Sequence, residues 1–594
     1  MSEAVVSERM EAAEVAAGRQ AATVAVRGGR VVDVYTRRII DGDVAVAGRR
    51  IAAVGEVDHC IDSSTNVIDA RGLYVVPGFL DSHIHIGGSQ LTIEGLAEVL
   101  VPHGTAAICT DFYEPAVIGG KAAVTELLAR ARGTGLAILL SPFHAAALGF
   151  GEFGDLGRFS LDDLVDLVHE EACVEIREWN RAAASIPLEG IRRYYATALG
   201  ARRVIGGHLE GLRGAELQAS VALGAISDHE AGTPEEALEK TRAGVQIQIR
   251  EGSGARDLQQ LVRAITQYGV DPRCFALCTD EQELHSLVRD GHMDYKLRLV
   301  VREGVDPLDA LRMTTVNVAQ LFGIEADYGS VAPGRVASLA LLENLGDFRV
   351  SLTLSDGVVS SEDGAYLLSP PREPYPGVWR ASVKLEKPIS PETYLIDAPS
   401  LSRVRVIGVT PGSLLTEELV EEVRLEGGRL ADRDSGLAKI AVIDRHEGGH
   451  RVGLGLIRGL GITQGGFAAT VNPGLMNLLV VGVNEEDMAL AANRVADLGG
   501  GIAVAQDGSI RAAVPLPVFG FLSDAPAAEV GHLCIDIADA IGEALGSPLD
   551  GLITTAGFAC LAVSIPSLKL CDRGLVRVSR HGQEAVELVA GAEE

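Results

Sequence analysis

PGFLDSHIHIGGS occupies residues 77–89, and an apolar run leads straight into its His83-Ile84-His85. Side chains alternate faces along a β-strand, so residues i and i+2 point the same way. Two imidazoles therefore leave one face at a strand end, where one divalent metal can use both. An isolated pair of this kind is more often two histidines in a surface turn. Its surroundings reverse that reading here.

From 77 to 329, apolar runs alternate with longer helical patterns. The runs are TAAICTD (105–111), LAILLSPF (136–143), RRVIGGH (202–208), GAISDHE (224–230), VQIQIREG (245–252) and RCFALCTD (273–280). Helices are expected at SLDDLVDLVHEEA (160–172), TPEEALEKTRAG (233–244) and DPLDALRMTTVNVAQLFG (306–323). This rhythm over 77–329 predicts an α/β fold built on a (β/α)₈ barrel, whose active sites lie where strands end. Residues 23–76 read as short strands with Gly-rich turns, and 330–364 turn strand-rich again, so the two predict a flanking small β-sandwich. The Pro-rich segment 365–402 reads as a linker, and 403–594 as an additional C-terminal α/β domain. Residues 1–22 are polar and helix-prone and read as a ragged N-terminal lead-in.

With 594 residues the chain has room for about three to four domains. Its net charge of −29 argues against nucleic acid as a partner, because phosphate binding needs clustered Lys and Arg. It argues equally against an anionic membrane surface, and no apolar run reaches transmembrane length. The N-terminus lacks the apolar core of a signal peptide. The eight cysteines form no CxxC pair and read as reduced thiols, which makes the cytoplasm the expected compartment. The acidic excess is a solvated surface.

In chain order the predicted strand ends offer His83, His85, a carboxylate at Glu175 or Glu178, His208, His229 and Asp280. A dinuclear hydrolytic site needs neutral imidazoles plus carboxylates that bridge and balance charge. A terminal Asp can accept a proton from water and return it to a leaving amine. Any one of these residues alone is ordinary. Six in this order point to a binuclear divalent metal site with Asp280 as its catalytic group.

PGFLDSHIHI, GGHLEGLRGAELQASVALGAISDHE, LCTDE, GHMDYKLRLVVREGVDPLDALRMTTVNVAQLFG and VAPGR resemble the amidohydrolase superfamily, and more closely the bacterial adenine deaminase family. VIDRHEGG, NEEDMALAANRVADLGGGIAV, PLPVFGFLSD and PSLKLCDRGLV are similar to that family's C-terminal domain, so the likeness spans roughly 24–580. The resemblance implies hydrolytic deamination of a free purine base, adenine, to hypoxanthine and ammonia. It implies His83 and His85 on one metal, Glu178 as the bridge with Glu175 close enough to dispute it, and His208 and His229 on the second metal. Asp280 touches metal and carries the proton. Glu114 and Glu230 are expected to face the substrate, with orienting a metal ligand as the alternative role for Glu230. Manganese or iron is usual in the family, and the ligand set also admits zinc. A homodimer is implied in the same way.

Four departures accompany the likeness. Relatives continue the histidine pair with Ile-Glu-Ser-Ser, where this chain has Ile86-Gly87-Gly88-Ser89 and loses a carboxylate near the metals. The family's Asp-Pro-His-Glu is Asp111-Phe112-Tyr113-Glu114. Thr279-Asp280-Glu281-Gln282-Glu283-Leu284 lacks the Arg-His-Pro of relatives. The C-terminal Ala-His-Asp-Ser-His-Asn is replaced across Val471–Asn477, without either histidine. Polar pocket groups decide selectivity, so a related hydrolase acting on another cyclic amidine or amide is the alternative. A non-catalytic, amidohydrolase-like assembly protein is a third reading, disfavoured because every candidate ligand is present.

Other motifs read as structure. His446-Glu447-Gly448-Gly449-His450 matches HExxH literally, but its two central glycines oppose the helix that motif requires. Gly453–Gly461 lacks the spacing of a nucleotide loop. His103, His144 and His292 are assigned structural roles.

Overall fold

The computed structural model describes residues 3–145, 157–179, 189–380, 382–432, 435–448, 451–473, 476–562, 567–579 and 582–591. Eight strands follow one another in parallel: Phe79–His85, Thr105–Thr110, Ala137–Leu140, Glu175–Trp179, Val204–Gly207, Ala225–Asp228, Gln246–Arg250 and Phe275–Cys278. The third and fourth meet through the parallel bridges Leu140–Cys173 and Phe143–Arg177. Asp280–Glu281 extends the eighth strand and pairs with the first, Asp280 opposite Ile84 and Glu281 opposite His85. The ring is closed, and all eight C-terminal ends gather at one mouth.

The strands are apolar because both sheet faces are covered. Ile247, Ile249, Phe275 and Leu277 pack outward against Leu297, Val300 and Leu311 of the surrounding helices. Those helices begin where the sequence supplies caps. Ser160 and Asp163 form a reciprocal capping box for Leu161–Val168, and the Thr233 hydroxyl accepts from Glu236 N ahead of Pro234–Arg242. The single helix expected over 306–323 is two, Pro307–Met313 and Val316–Leu321. Thr314 and Thr315 interrupt it, their hydroxyls donating back to Leu311 O at 3.2 and 2.5 Å. The carbonyl of Thr314 then accepts from Leu80 N of the first barrel strand at 2.7 Å.

Strands from 24–77 and from 339–366 form one continuous nine-stranded sheet, joined where Leu339–Leu342 runs antiparallel to Tyr74–Pro77. Val26, Val31, Val46, Val75, Leu339 and Leu341 share its core. The first residues are not a ragged lead-in. Glu3–Ala16 is a helix that buries Ala12 and Val15 against Ala45, Ala47 and Ala52. The Pro-rich segment is docked on the barrel, with Tyr375 buried, donating to Glu94 Oε2 at 2.9 Å and covered by the Arg130 guanidinium.

Beyond residue 400 a second nine-stranded sheet is antiparallel except where Leu401–Val409 runs parallel to Val452–Arg458. Helices Glu485–Asp497 and Ala527–Leu545 pack against it. One apolar cluster runs from barrel residues Ile84, Leu96 and Phe112 into Phe519, Val530 and Leu552 of this C-terminal unit. Backbone bonds Thr92 N to Ser523 O (3.0 Å) and Ser523 N to Gln90 O (2.8 Å) tie the two beside the barrel mouth. All eight cysteines are free thiols. Among the described residues no helix is long and apolar enough to cross a membrane.

Candidate metal centre

Asp81, His83 and His85 occupy alternate positions of the first barrel strand and share its inner face. Asp81 Oδ1 accepts from His83 N and Thr279 N, each at 3.1 Å, while Oδ2 meets His292 Nε2 at 3.0 Å. This fully buried carboxylate fastens the first strand to the eighth. His292 therefore has the structural role expected of it. His103, which meets Asp294 Oδ2 at 3.1 Å through Nδ1, has one too.

The imidazoles converge at the mouth. His83 Nε2 and His85 Nε2 lie 3.3 Å apart. Glu178 Oε1 is 3.4 Å from His85 Nε2 and 4.0 Å from His83 Nε2, and Asp280 Oδ1 lies 3.6 and 3.7 Å from the same atoms. On the far side His208 Nε2 and His229 Nε2 approach Glu230 Oε1 to 3.6 and 3.2 Å. Three overlapping groups, His83-His85-Glu178, His83-His229-Asp280 and His208-His229-Glu230, each bring three donor atoms within 4.8 Å of one another. Nitrogen and carboxylate donors at this density suit a divalent cation, and the groups share members as a binuclear site requires.

Glu178 and Glu175 separate clearly. Glu175 and Arg177 point into the barrel below the mouth, so strict alternation would turn Glu178 outward. It is turned inward by an irregularity: between Ile205 and Gly207 the neighbouring strand spans two positions where the fourth spans three, and Glu178 has φ 56°. A bulge of this kind re-aims a side chain. Glu175 is left beneath, near Cys109 Sγ at 3.6 Å and Ser227 Oγ at 3.5 Å. Burial, outweighing the pull of Arg177, raises its carboxyl to about 7. Asp280 also has positive φ, 61°.

The charges around the donors are sorted by position. Burial, reinforced by Arg177 and His229, holds the His83 ring well below the ordinary histidine range. Burial opposes charge on His85 too, but Asp111, with Oδ2 3.2 Å from Nδ1, lifts it well above that range. A carboxylate behind a histidine fixes ring orientation and leaves Nε2 as the donor. Burial works against Glu230, yet Arg250 Nη1 at 2.7 Å and His208 hold its carboxyl well below the usual range. The same Arg250 nitrogen is 3.5 Å from Asp280 Oδ2. Asp111, Arg250 and Glu281 were missed as site residues by the sequence reading, although all three stand at or just beyond strand ends. A cation or an orienting carboxylate carries no metal-donor motif.

Above the donors lies a small cavity open to solvent. Tyr113, Glu114, Phe143 and Glu281 line it from the barrel, and Leu414, Pro473, Phe558 and Leu561 from the C-terminal unit. The two glycines that follow the histidine pair do not leave the mouth short of carboxyls. A Cβ on Gly87 would overlap the Glu114 carboxyl, and one on Gly88 would stand 2.9 Å from Glu281 Oε2. Burial and the nearby Asp111 raise Glu114 to about 7. Its Oε2 is buried and has no hydrogen-bond partner among the described residues. The stretch 444–448 is not helical, and His450 lies outside the described residues.

Residues 188–359 match the amidohydrolase family, and residues 413–582 match the adenine deaminase C-terminal domain. An adenine deaminase of Clostridium botulinum is 33% identical over 570 residues, covering 95% of this chain and 94% of its own. The adenine deaminase of Moorella thermoacetica is 33% identical and covers 98% of each chain, and that of Nitratidesulfovibrio vulgaris is 34% identical over 95% and 96%. The chain belongs to the adenine deaminase family. The amidohydrolase match covers His208, His229 and Asp280, and the adenine deaminase C-terminal match covers Leu414, Pro473, Phe558 and Leu561 of the cavity wall. Family membership accords with a metal-dependent barrel, and the donor groups at its mouth fit that expectation.

Proposed function

We propose that the protein hydrolyses adenine to hypoxanthine and ammonia, at two divalent cations held by His83, His85, Glu178, His208, His229 and Asp280. The observation that carries this reading is the convergence of all six at one barrel mouth, in a chain collinear with adenine deaminases over 95% of its length. A bound divalent pair supplies a water acidified towards neutrality and a Lewis acid. Asp280 accepts the proton of the attacking water and returns it to the leaving amino group, so the water oxygen stays on the purine C6 and ammonia departs. Glu178 spans the donors of the first pair. Arg250 keeps Glu230 anionic and fixes the orientation of Glu230 and Asp280. Glu114 and Glu230 face the base, and Tyr113, Phe143, Phe558 and Leu561 give a planar heterocycle an apolar slot. Manganese or iron is the inferred metal, with zinc compatible with the donors. Free thiols and a net charge of −29 support a cytoplasmic enzyme with a small-molecule substrate and no nucleic-acid or membrane partner, and the family resemblance alone implies a homodimer.

A second reading, another cyclic amidine or amide, is favoured by the apolar Leu414, Pro473, Phe558 and Leu561 wall. Incubating manganese-loaded protein with adenine, other aminopurines, aminopyrimidines and cyclic amides, and measuring ammonia, separates the two. Turnover on another ring without turnover on adenine overturns the first.

A further inference from the structure

Behind the mouth, on the side of His208 and His229, three charged side chains are buried together. Lys240 Nζ donates to Asp228 Oδ2 and to Glu236 Oε1, each at 2.7 Å, and the side chains of Lys240 and Asp228 are wholly shielded from solvent. Both carboxylates have further partners. Asp228 directly precedes His229, and its Oδ1 accepts from the backbone N–H of Leu209, the residue after His208, at 2.8 Å. Glu236 accepts from Gly211 N at 3.0 Å and from Gly232 N at 3.2 Å. The loop leaving the fifth barrel strand and the loop leaving the sixth are therefore both bonded to carboxylates that one ammonium joins. Neither loop has a backbone pairing that would fix the other so directly: the strands behind them pair only up to Gly207 and Asp228.

We infer that Lys240 is a positioning residue for the half of the metal centre formed by His208 and His229. The inference rests on the reading of those two histidines as ligands. A buried charge cluster is a poor source of stability compared with apolar side chains of the same volume. What it supplies is direction. Asp228 bonds the residue beside one histidine with one oxygen and Lys240 with the other, so a shift of the fifth-strand loop breaks a charge-assisted bond. Glu236, one helical turn before Lys240, ties the far ends of both loops to the same point. The His208 and His229 rings are held edge to face, 5.5 Å apart, with both Nε2 atoms turned to Glu230. Groups that orient metal ligands from behind alter metal affinity by about 10–100-fold when removed.

The test uses the full chain, freed of metal and titrated with Mn²⁺, with bound metal counted and spin coupling between the ions followed by electron paramagnetic resonance. The wild type is expected to take up two ions and to show the coupled signal. Lys240→Met is expected to keep the first ion at wild-type affinity and to bind the second about 10–100-fold more weakly, so the coupled signal fades at metal levels that saturate the wild type. If Lys240→Met does not fold, Asp228→Asn decides: it preserves an acceptor for Leu209 N and removes the anion facing Lys240, and the same selective loss is expected. A folded variant that binds both ions with wild-type affinity, or that weakens both equally, overturns the inference. A wild type that binds no second ion overturns instead the ligand reading on which it stands.

Discussion

The imidazole of His229 lies against that of His83, ring centroids 3.8 Å apart and planes inclined by 31°. One comes from the sixth barrel strand and the other from the first, so the two donor groups share a wall across the barrel mouth. Removing His229 should unmake the groups it shares with His83 and with His208 while leaving His83-His85-Glu178 in place. His229→Ala is expected to lower bound metal from about two ions per chain to about one, and kcat by at least about 100-fold. Elemental analysis of the purified variant checks this; two ions retained would contradict it.

Glu178 and Glu175 should behave oppositely. Glu178→Gln removes an anion within 3.4 Å of His85 Nε2 and is expected to weaken metal binding by about 10–100-fold. Glu175→Gln changes a carboxyl that sits beneath the donors against Cys109 and Ser227, and metal affinity is expected to stay within about threefold of wild type. Parallel metal titrations of the two variants decide the assignment.

Asp280→Asn should separate proton transfer from metal holding. The amide keeps an oxygen toward His83 and His85 but cannot carry the proton, so kcat is expected to fall by about 10²–10⁴-fold with most metal retained. Steady-state kinetics with metal analysis on one preparation measures both.

Lys569 should give the fold a pH signature. Its ammonium is buried and donates to Phe558 O at 2.9 Å and Leu414 O at 3.5 Å, the carbonyls of two cavity-wall residues. Burial lowers it to about 7, from 10.5 in the unfolded chain. Between those values the unfolded chain binds the extra proton, so this group makes stability rise with pH from about 7 to about 10.5 and contributes no slope below 7. Denaturant unfolding at pH 7 and pH 9.5 is expected to show the wild type gaining stability relative to Lys569→Met. An equal pH response in both would refute the assignment.

How far the sequence could lead is decided residue by residue. His83 and His85 were legible because strand alternation is local, and the barrel because apolar runs recur between capped helices. Glu178 was not separable from Glu175, since alternation alone turns Glu175 inward and only a bulge with positive φ turns Glu178 inward as well. Gly87 and Gly88 show in the sequence only as a carboxylate lost relative to the family; that Glu114 and Glu281 pack against them is set by the fold. Phe558 and Leu414 carry no motif at all, being apolar residues far along the chain that reach the mouth only through domain packing. The N-terminal helix was underestimated because only Ala12 and Val15 are buried along it, too few for a visible apolar stripe.

Deamination of adenine at these donors is checked by chromatography of a reaction of manganese-loaded protein with adenine, with ammonia assayed in the same samples. Hypoxanthine and ammonia should appear in equal amounts as adenine disappears, and neither should form with Asp280→Asn. Fully metal-loaded wild-type protein that leaves adenine unchanged would contradict the account.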